Sequence, residues 1–416
     1  MPTRFRPLLV VALWFGAVQC HEPSTAPTPI THLPRDLTAA EGRLVSTDNR
    51  FAFKLFRQIA DGTPADSSLF ISPLSVAMAL TMAYNGAAGT TQQEMAIALE
   101  LEGFPLDELN ASYRGLIDLL RELDRQVKFE IANSIWYRHD WTFEQAFLDA
   151  NRAYFDAAVR PLDFASPTAA RTINAWVSDR TQGRIPSIVD DPLPSEDVMY
   201  LINAIYFKGS WTQQFDKSRT RPAPFLLRDG SSATVPTMFT AEPAQVRLAA
   251  APGVTVLDLP YGGRAFSMTI VVPRDPAGLD SLVATLTEDR WNEWTAALDS
   301  AAVDVSLPKF RLSYAASLQQ VLSALGMPHA FCDSGGPTDF TRMRAAGDLC
   351  ITKVKHKAFV DVNEEGTEAA AATSIGMGVT SAPQSVNVDR PFLFAIRENL
   401  SGTVLFLGRI MRPELN

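Results

Sequence analysis

The sequence predicts an α+β protein whose body is one large domain, and three observations predict it. Apolar residues recur at helical spacing mainly early in the chain, while short runs of β-branched and aromatic residues crowd its later part. These helices and strands do not alternate regularly, which argues against a doubly wound parallel sheet. Between Ser46 and Pro413 there is neither a linker nor an internal repeat, and 46% hydrophobic with 20% charged residues over 416 positions supplies a large core.

In chain order, the first element is a leader. Arg4 and Arg6 precede an apolar run from Leu8 to Val18, too short to span a bilayer and suited to export, so residues 1–20 are expected to be a signal peptide. Residues 21–45 open with HEPSTAPTPITHLP, which cannot pack a core and is expected to be a linker to a domain over 46–416. Cys20 at this junction resembles the lipidated cysteine of a bacterial lipoprotein. That resemblance implies export to an extracellular or cell-envelope location, with membrane contact only through a lipid anchor.

Ser72 can cap a helix, Pro73 suits its first turn, and Gly86 is expected to close it in a left-handed conformation. A second helix is marked by the stripe Leu109, Tyr113, Leu116, Leu120 and Leu123, and others by Phe143–Phe155 and Ala169–Arg180. Strands are expected at Phe129–Trp136, Val198–Phe207, Val254–Leu259, Phe266–Val272, Val303–Leu307, Val354–Val362 and Val404–Leu407.

Composition excludes several functions. A balance of 37 Lys and Arg against 46 Asp and Glu, net charge -9, works against nucleic acid and anionic surfaces as partners. The segment Thr90–Glu108 is acidic, so no heparin-like cofactor is expected either. Three cysteines and five scattered histidines offer no metal-ligand spacing, and no cofactor is expected. Cys332 and Cys350 are compatible with a disulfide or with two free thiols.

Five separated segments carry more specific information: FISPLSVAMAL (Phe70–Leu80), INAIYFKGSW (Ile202–Trp211), LPKF (Leu307–Phe310), VNEEGTEAAAAT (Val362–Thr373) and DRPFLFAI (Asp389–Ile396). In this order they resemble the serpin family of serine protease inhibitors, here with a bacterial-type, lipoprotein-like leader. The resemblance implies the serpin fold: a central, mostly antiparallel sheet, further sheets, surrounding helices and an exposed reactive loop at about 364–388. It also implies that Ser72, Ser75, Asn203 and His356 form a cluster beneath the central sheet where its middle strands separate. Trp211, Lys309 and Glu364 match the top of that opening, with a Lys309–Glu364 ion pair. Ser68 departs from the family, which usually has Asn there.

His356 shares a period-2 face with Val354, Ala358, Val360 and Val362, which independently places its ring on the buried side. The segment Glu364, Gly366, Thr367, Glu368, Ala369, Ala370, Ala371, Ala372 would be a helix by propensity alone. As a serpin hinge it implies something different, insertion as a new strand after a protease cuts the loop; this use of strand addition is a standard example of the mode. Thr367, Ala369, Ala371 and Thr373 lie on one period-2 face, small and uncharged, as a segment entering a packed sheet requires.

By family spacing, about fifteen residues from the hinge glycine and about eleven before the proline of PFLF, the scissile bond is Thr380-Ser381. The implied function is suicide inhibition of a serine protease, without a catalytic residue in this chain. Elastase-like or subtilisin-like targets are expected over trypsin-like ones, and the inhibitor is expected to be a monomer. The alternative on the same fold is a non-inhibitory carrier, chaperone or storage protein. Asp333-Ser334-Gly335-Gly336-Pro337 reproduces part of a protease nucleophile motif, but Cys332 stands where that motif needs glycine and no partner histidine motif accompanies it.

Overall fold

A computed structural model describes residues 28–333, 336–367 and 384–415. From the N-terminus these form α1 (Ala39–Asp61), β1 (Leu69–Ile71), α2 (Pro73–Tyr84), α3 (Gly89–Ala98), α4 (Leu106–Glu122), β2 (Val127–Arg138), α5 (Gln145–Phe155), β3 (Ala158–Leu162), α6 (Ala169–Arg180) and β4 (Met199–Ser210). There follow β5 (Arg221–Leu226), β6 (Ser232–Phe239), β7 (Ala244–Ala251), β8 (Val254–Tyr261), β9 (Phe266–Pro273), α7 (Leu279–Ala284), α8 (Glu288–Ala296), β10 (Asp299–Pro308), β11 (Phe310–Ser317) and α9 (Gln319–Ala324). The chain ends with β12 (Lys355–Asn363), β13 (Gly366–Thr367), β14 (Gln384–Asn387), β15 (Phe392–Glu398) and β16 (Val404–Ile410).

Local signals set several of these boundaries. Thr38 and Glu41 form a reciprocal capping box, Glu41 N–H donating to Thr38 Oγ1 (3.1 Å) and Thr38 N–H to Glu41 Oε2 (2.8 Å), so α1 starts at Ala39, inside the stretch expected to be linker. Ser72 caps α2 and Pro73 occupies its first turn. Gly86 differs from expectation: it is not left-handed, and its missing side chain instead admits Met343, whose Cβ would lie 2.7 Å from a Cβ placed there. The expected strands are present, most of them longer by a few residues, because sheet partners extend ladders past the apolar run that marks each strand.

Two sheets result. The ten-stranded one has the order β1-β16-β15-β9-β8-β7-β10-β6-β5, with β14 pairing β10 in parallel. The six-stranded central sheet has the order β11-β12-β13-β4-β2-β3, built on the long antiparallel β2/β4 ladder. One face of β2 and β4 carries Phe129 and Phe207 into the main core, against Phe266 and Phe406. The other face is covered by α6 through a separate apolar cluster of Trp136, Ile173, Val177, Ile202 and Ala204. α2 is buried along nearly its whole length beneath the central sheet, so it can carry no charge on any face.

Cys332 and Cys350 form a disulfide, resolving what the sequence leaves open. The bond closes a loop with a sequence separation of 18 just ahead of β12. Replacing both cysteines by serine is expected to lower the unfolding free energy by about 3 kcal/mol, checked by denaturant titration of the oxidised wild type and the variant.

Candidate functional site

The upper end of the central sheet is organised around β13. Thr367 pairs with Val362 of β12 and with Gly209 of β4, and Gly366 with Asn363 and Ser210, so two residues stand hydrogen-bonded between the two strands. β13 is antiparallel to both neighbours, and β12 and β4 therefore run in the same direction. Gly366 has a φ of +149° and lies so close to β4 that a Cβ there would fall 2.1 Å from the Gly209 carbonyl oxygen, so glycine is required. Thr367 is buried, its hydroxyl 2.7 Å from the Tyr261 hydroxyl. Burial pushes the Tyr261 phenol well above its ordinary range, so it stays a neutral partner.

Trp211 stacks on Tyr261 with centroids 4.5 Å apart and donates from Nε1 to the Asn363 carbonyl at 2.9 Å. Its backbone N–H donates to Glu365 O, and that of Phe215 to Glu364 O. Lys309 Nζ reaches both carboxylate oxygens of Glu364, at 3.0 and 2.9 Å, and Thr220 Oγ1 donates to the same group at 2.7 Å. Burial alone would raise the Glu364 pKa, but the Lys309 and Thr220 hydrogen bonds outweigh it and hold the carboxyl below its ordinary range. Lys217 pairs with Glu365 beside it.

Lower in the same sheet, a buried polar cluster links both strands to the helix beneath. His356 Nε2 accepts from the Ser72 N–H at 3.1 Å, and Ser72 Oγ donates to Leu405 O at 2.9 Å. Ser75 Oγ donates to the Asn203 carbonyl at 3.3 Å. Thus β12 and β4 are each tied to the start of α2, and among the described residues no hydrogen bond joins His356 directly to Asn203. The Asn203 Nδ2 donates to Asn133 Oδ1 at 2.6 Å, while its Oδ1 has no partner among the described residues. Sequence reasoning missed Asn133 and Tyr261. The signal for Asn133 was a lone amide within the apolar strand FEIANSIW; Tyr261 carried none, since its role depends on stacking with Trp211, distant in sequence. Ser68, at the family's usual Asn position, accepts from Met411 N–H at 3.0 Å.

Glu368, Ala369, Ala370, Ala371, Ala372, Thr380 and Ser381 lie outside the described residues, as does Cys20. Fold and sheet opening together define a protease-inhibitor scaffold rather than an enzyme. Residues 46–413 match the family model described as Serpin (serine protease inhibitor), and the chain belongs to that family. Leukocyte elastase inhibitor of Sus scrofa is 36% identical over 382 residues, covering 89% of this chain and 100% of that protein. Serpin B10 of Homo sapiens is 33% identical over 397 residues, covering 89% and 99%. Among solved structures, the thermophilic serpin tengpin in its native state is 28% identical with a TM-score of 0.79, covering 93% of this chain and 97% of that one. These relatives favour protease trapping over the carrier, chaperone or storage alternative.

The same relatives correct the reading of the N-terminus. They include mammalian and amphibian proteins, and 89% of this chain accounts for 99–100% of their length, so nothing in them corresponds to a leader and tether around Cys20. The bacterial-type, lipoprotein-like assignment and the exported, cell-envelope or extracellular location inferred from it are therefore not supported. An apolar run beside a cysteine specifies hydrophobicity and a thiol, and by itself no lipid.

Burial depresses the His356 pKa from 6.5 to about 4, so the ring is neutral at pH 7. A depressed folded pKa means that the unfolded chain binds the extra proton first. The stability contributed by the neutral ring is complete above about pH 6.5 and is lost as pH falls toward 4, by up to roughly 3 kcal/mol. Asp48, raised by burial to about 7, works in the opposite sense over the same interval. The difference in unfolding free energy between wild type and His356→Gln, measured from pH 7 to pH 4, isolates the histidine and is expected to shift against the wild type as the solution acidifies.

Proposed function

We propose that the protein inhibits a serine protease by offering Thr380-Ser381 as bait and then inserting the cut loop between β12 and β4. The observation that carries this reading is β13, where Gly366 and Thr367 already pair with both strands. Continuing that register places Ala369 level with Val360 and Phe207, Ala371 with Ala358 and Ile205, and Thr373 with His356 and Asn203. Residues level across a sheet point to one face. Val360, Ala358, His356, Phe207, Ile205 and Asn203 are all buried, so small uncharged side chains fit there. Thr373 brings a hydroxyl level with the unpartnered Asn203 Oδ1.

The chemistry of the cut belongs to the protease. Its serine Oγ attacks the Thr380 carbonyl carbon, the serine proton passes through the protease histidine to the amine of Ser381, and the C–N bond breaks. An ester then joins Thr380 to the protease, with Ser381 as a new N-terminus. If water reaches the ester first, the inhibitor is merely a substrate. Insertion competes with that hydrolysis, and it is favourable because a strand antiparallel to both β12 and β4 satisfies the ladders of two strands that run in the same direction. Extended from Thr367 to Thr380, the segment spans roughly 45 Å, which carries the attached protease toward the far end of the sheet.

Thr367→Arg, which would force a cation against Tyr261, and Ala369→Arg are expected to leave cleavage intact while abolishing detergent-stable complex. Wild-type stoichiometry of complex with either variant would sink the insertion reading. Target choice follows from Thr380, a small β-branched side chain, and from a loop that contains no Lys or Arg between Gly366 and Val388. A trypsin-type pocket would leave its carboxylate unpaired, at a cost of several orders of magnitude in discrimination. The relatives named leukocyte elastase inhibitor support an elastase-like target, with subtilisin-like enzymes next. Incubation with elastase, subtilisin and trypsin, followed by N-terminal sequencing of the released fragment, is expected to yield Ser381 with the first two; efficient trapping of trypsin alone would refute the assignment.

A further inference from the structure

Among the described residues, β12 has a ladder partner on one side alone over Lys355–Asp361, namely β11; β13 reaches its other edge only at Val362 and Asn363. The position of its lower end therefore depends on the segment that leads into it. There Leu318 N–H donates to Val354 O at 2.8 Å, Ile351 N–H to Ala330 O at 2.9 Å and Cys332 N–H to Ile351 O at 3.2 Å, while Thr352 Oγ1 donates to Asp197 Oδ1 at 2.6 Å. Across the same short bridge the Cys332–Cys350 disulfide adds a covalent tie. Cys332 is exposed and Cys350 half-buried, so the bond lies at the surface, where an incoming thiolate meets it. We propose that this disulfide is a redox modification site: its reduction by a dithiol frees the lower end of β12 and shortens the time for which the protein stays competent to trap a protease. The proposal rests on the insertion reading above and places control of it in a bond remote from the hinge.

The exchange balances as follows. A thiolate of the dithiol attacks Cys332 Sγ, the bond between the two protein sulfurs breaks, and Cys350 leaves as a thiolate that takes a proton from water. The second sulfur of the dithiol, deprotonated in turn, attacks the mixed disulfide and releases the Cys332 thiolate, which is also protonated. The protein disulfide has then gained two electrons and two protons, and the dithiol has been oxidised to its own disulfide.

The tie matters because of where the loop between the two cysteines sits. Met343 N–H donates to Gly86 O at 3.1 Å and Ala88 N–H to Asp339 O at 2.9 Å, which seats the loop at the end of α2; Glu144 N–H donates to Met343 O at 2.9 Å, which joins it to the start of α5. β12 is thus tied to both ends of α2, at the start through His356 and Ser72 and at the end through this loop. With the disulfide intact, the strand cannot leave that seat without dragging the loop and the α9 side along. After reduction the loop keeps its seat, and the entry to β12 is held by a few hydrogen bonds that open locally. The edge of β12 below β13 is the one that the insertion reading gives to the cut loop. An uncut loop that enters a frayed edge leaves no bait to cut, so trapping capacity is lost without any protease.

The test compares the full chain in its two redox states. Oxidised protein is treated with excess dithiothreitol, the dithiol is removed without air, and an aliquot is alkylated with iodoacetamide in the absence of denaturant. Mass spectrometry is expected to show two alkylated thiols beyond those of the oxidised protein. Both forms are then held below the thermal transition, and the remaining capacity to form detergent-stable complex is followed with a serine protease that the wild type traps. We expect the capacity to decay roughly fivefold faster in the reduced form, with uncut protein gaining heat resistance in step, and reoxidation before the incubation to restore the slower decay. Cys332→Ser combined with Cys350→Ser should decay at the reduced rate with or without dithiol; if that variant fails to fold, the reduced and reoxidised wild type carry the comparison. No gain of thiols in the native protein, or equal decay of the oxidised and reduced forms, overturns the redox proposal while leaving inhibition standing. A protein that forms no covalent complex in either state and gains no heat resistance when cut removes the insertion reading, and this proposal with it.

Discussion

Gly366 and Thr367 hold two parallel-running strands of the central sheet at their upper ends, and the rest of the architecture is arranged around that contact. The pairing demands a residue without a Cβ at 366, a small side chain facing Tyr261 at 367, and carbonyls at 363–365 positioned for Trp211 and Phe215. The Lys309–Glu364 pair adds a charge-assisted bond at the point where the chain leaves β12. This pair is mostly sheltered from water, so losing either member would leave the other poorly solvated. The top of the sheet is thus firmly tied on the β12 side and admits only small residues on the β4 side.

Beneath it, polarity is used where a core of this size would otherwise be wholly apolar. Ser72, Ser75, Asn203, Asn133 and His356 form a buried hydrogen-bonded set on and around α2. Such groups cost free energy unless paired, and paired groups specify geometry more sharply than methyl contacts do. Tying β12 and β4 separately to one helix allows each strand to keep its position without bonding to the other. The neutral state of His356 belongs to the same design, since a charged ring in this setting would lack an anionic partner.

Much of this was legible before the structure. The capped start of α2 and the strand carrying His356 each follow from spacing and residue type. The motifs around Ile202–Trp211 and Leu307–Phe310 located the groups that meet at the top of the sheet. Other features were not legible. The bound Gly86 looked like a helix stop because a glycine after an apolar helix has that meaning locally, whereas its actual constraint is Met343, far along the chain. The start of α1 was obscured by the proline-rich stretch ahead of it, although Thr38 and Glu41 carry the capping signal.

By itself the sequence determined the α+β class, the buried face of β12 and the absence of Lys or Arg between Gly366 and Val388, because each depends on side-chain chemistry or on a period set by the backbone. Tertiary structure alone decided that Cys332 and Cys350 pair, that Tyr261 backs Thr367, and that Asn133 completes the polar cluster. These depend on contacts between residues far apart in the chain, and no local period or propensity encodes which distant side chains will share one small volume.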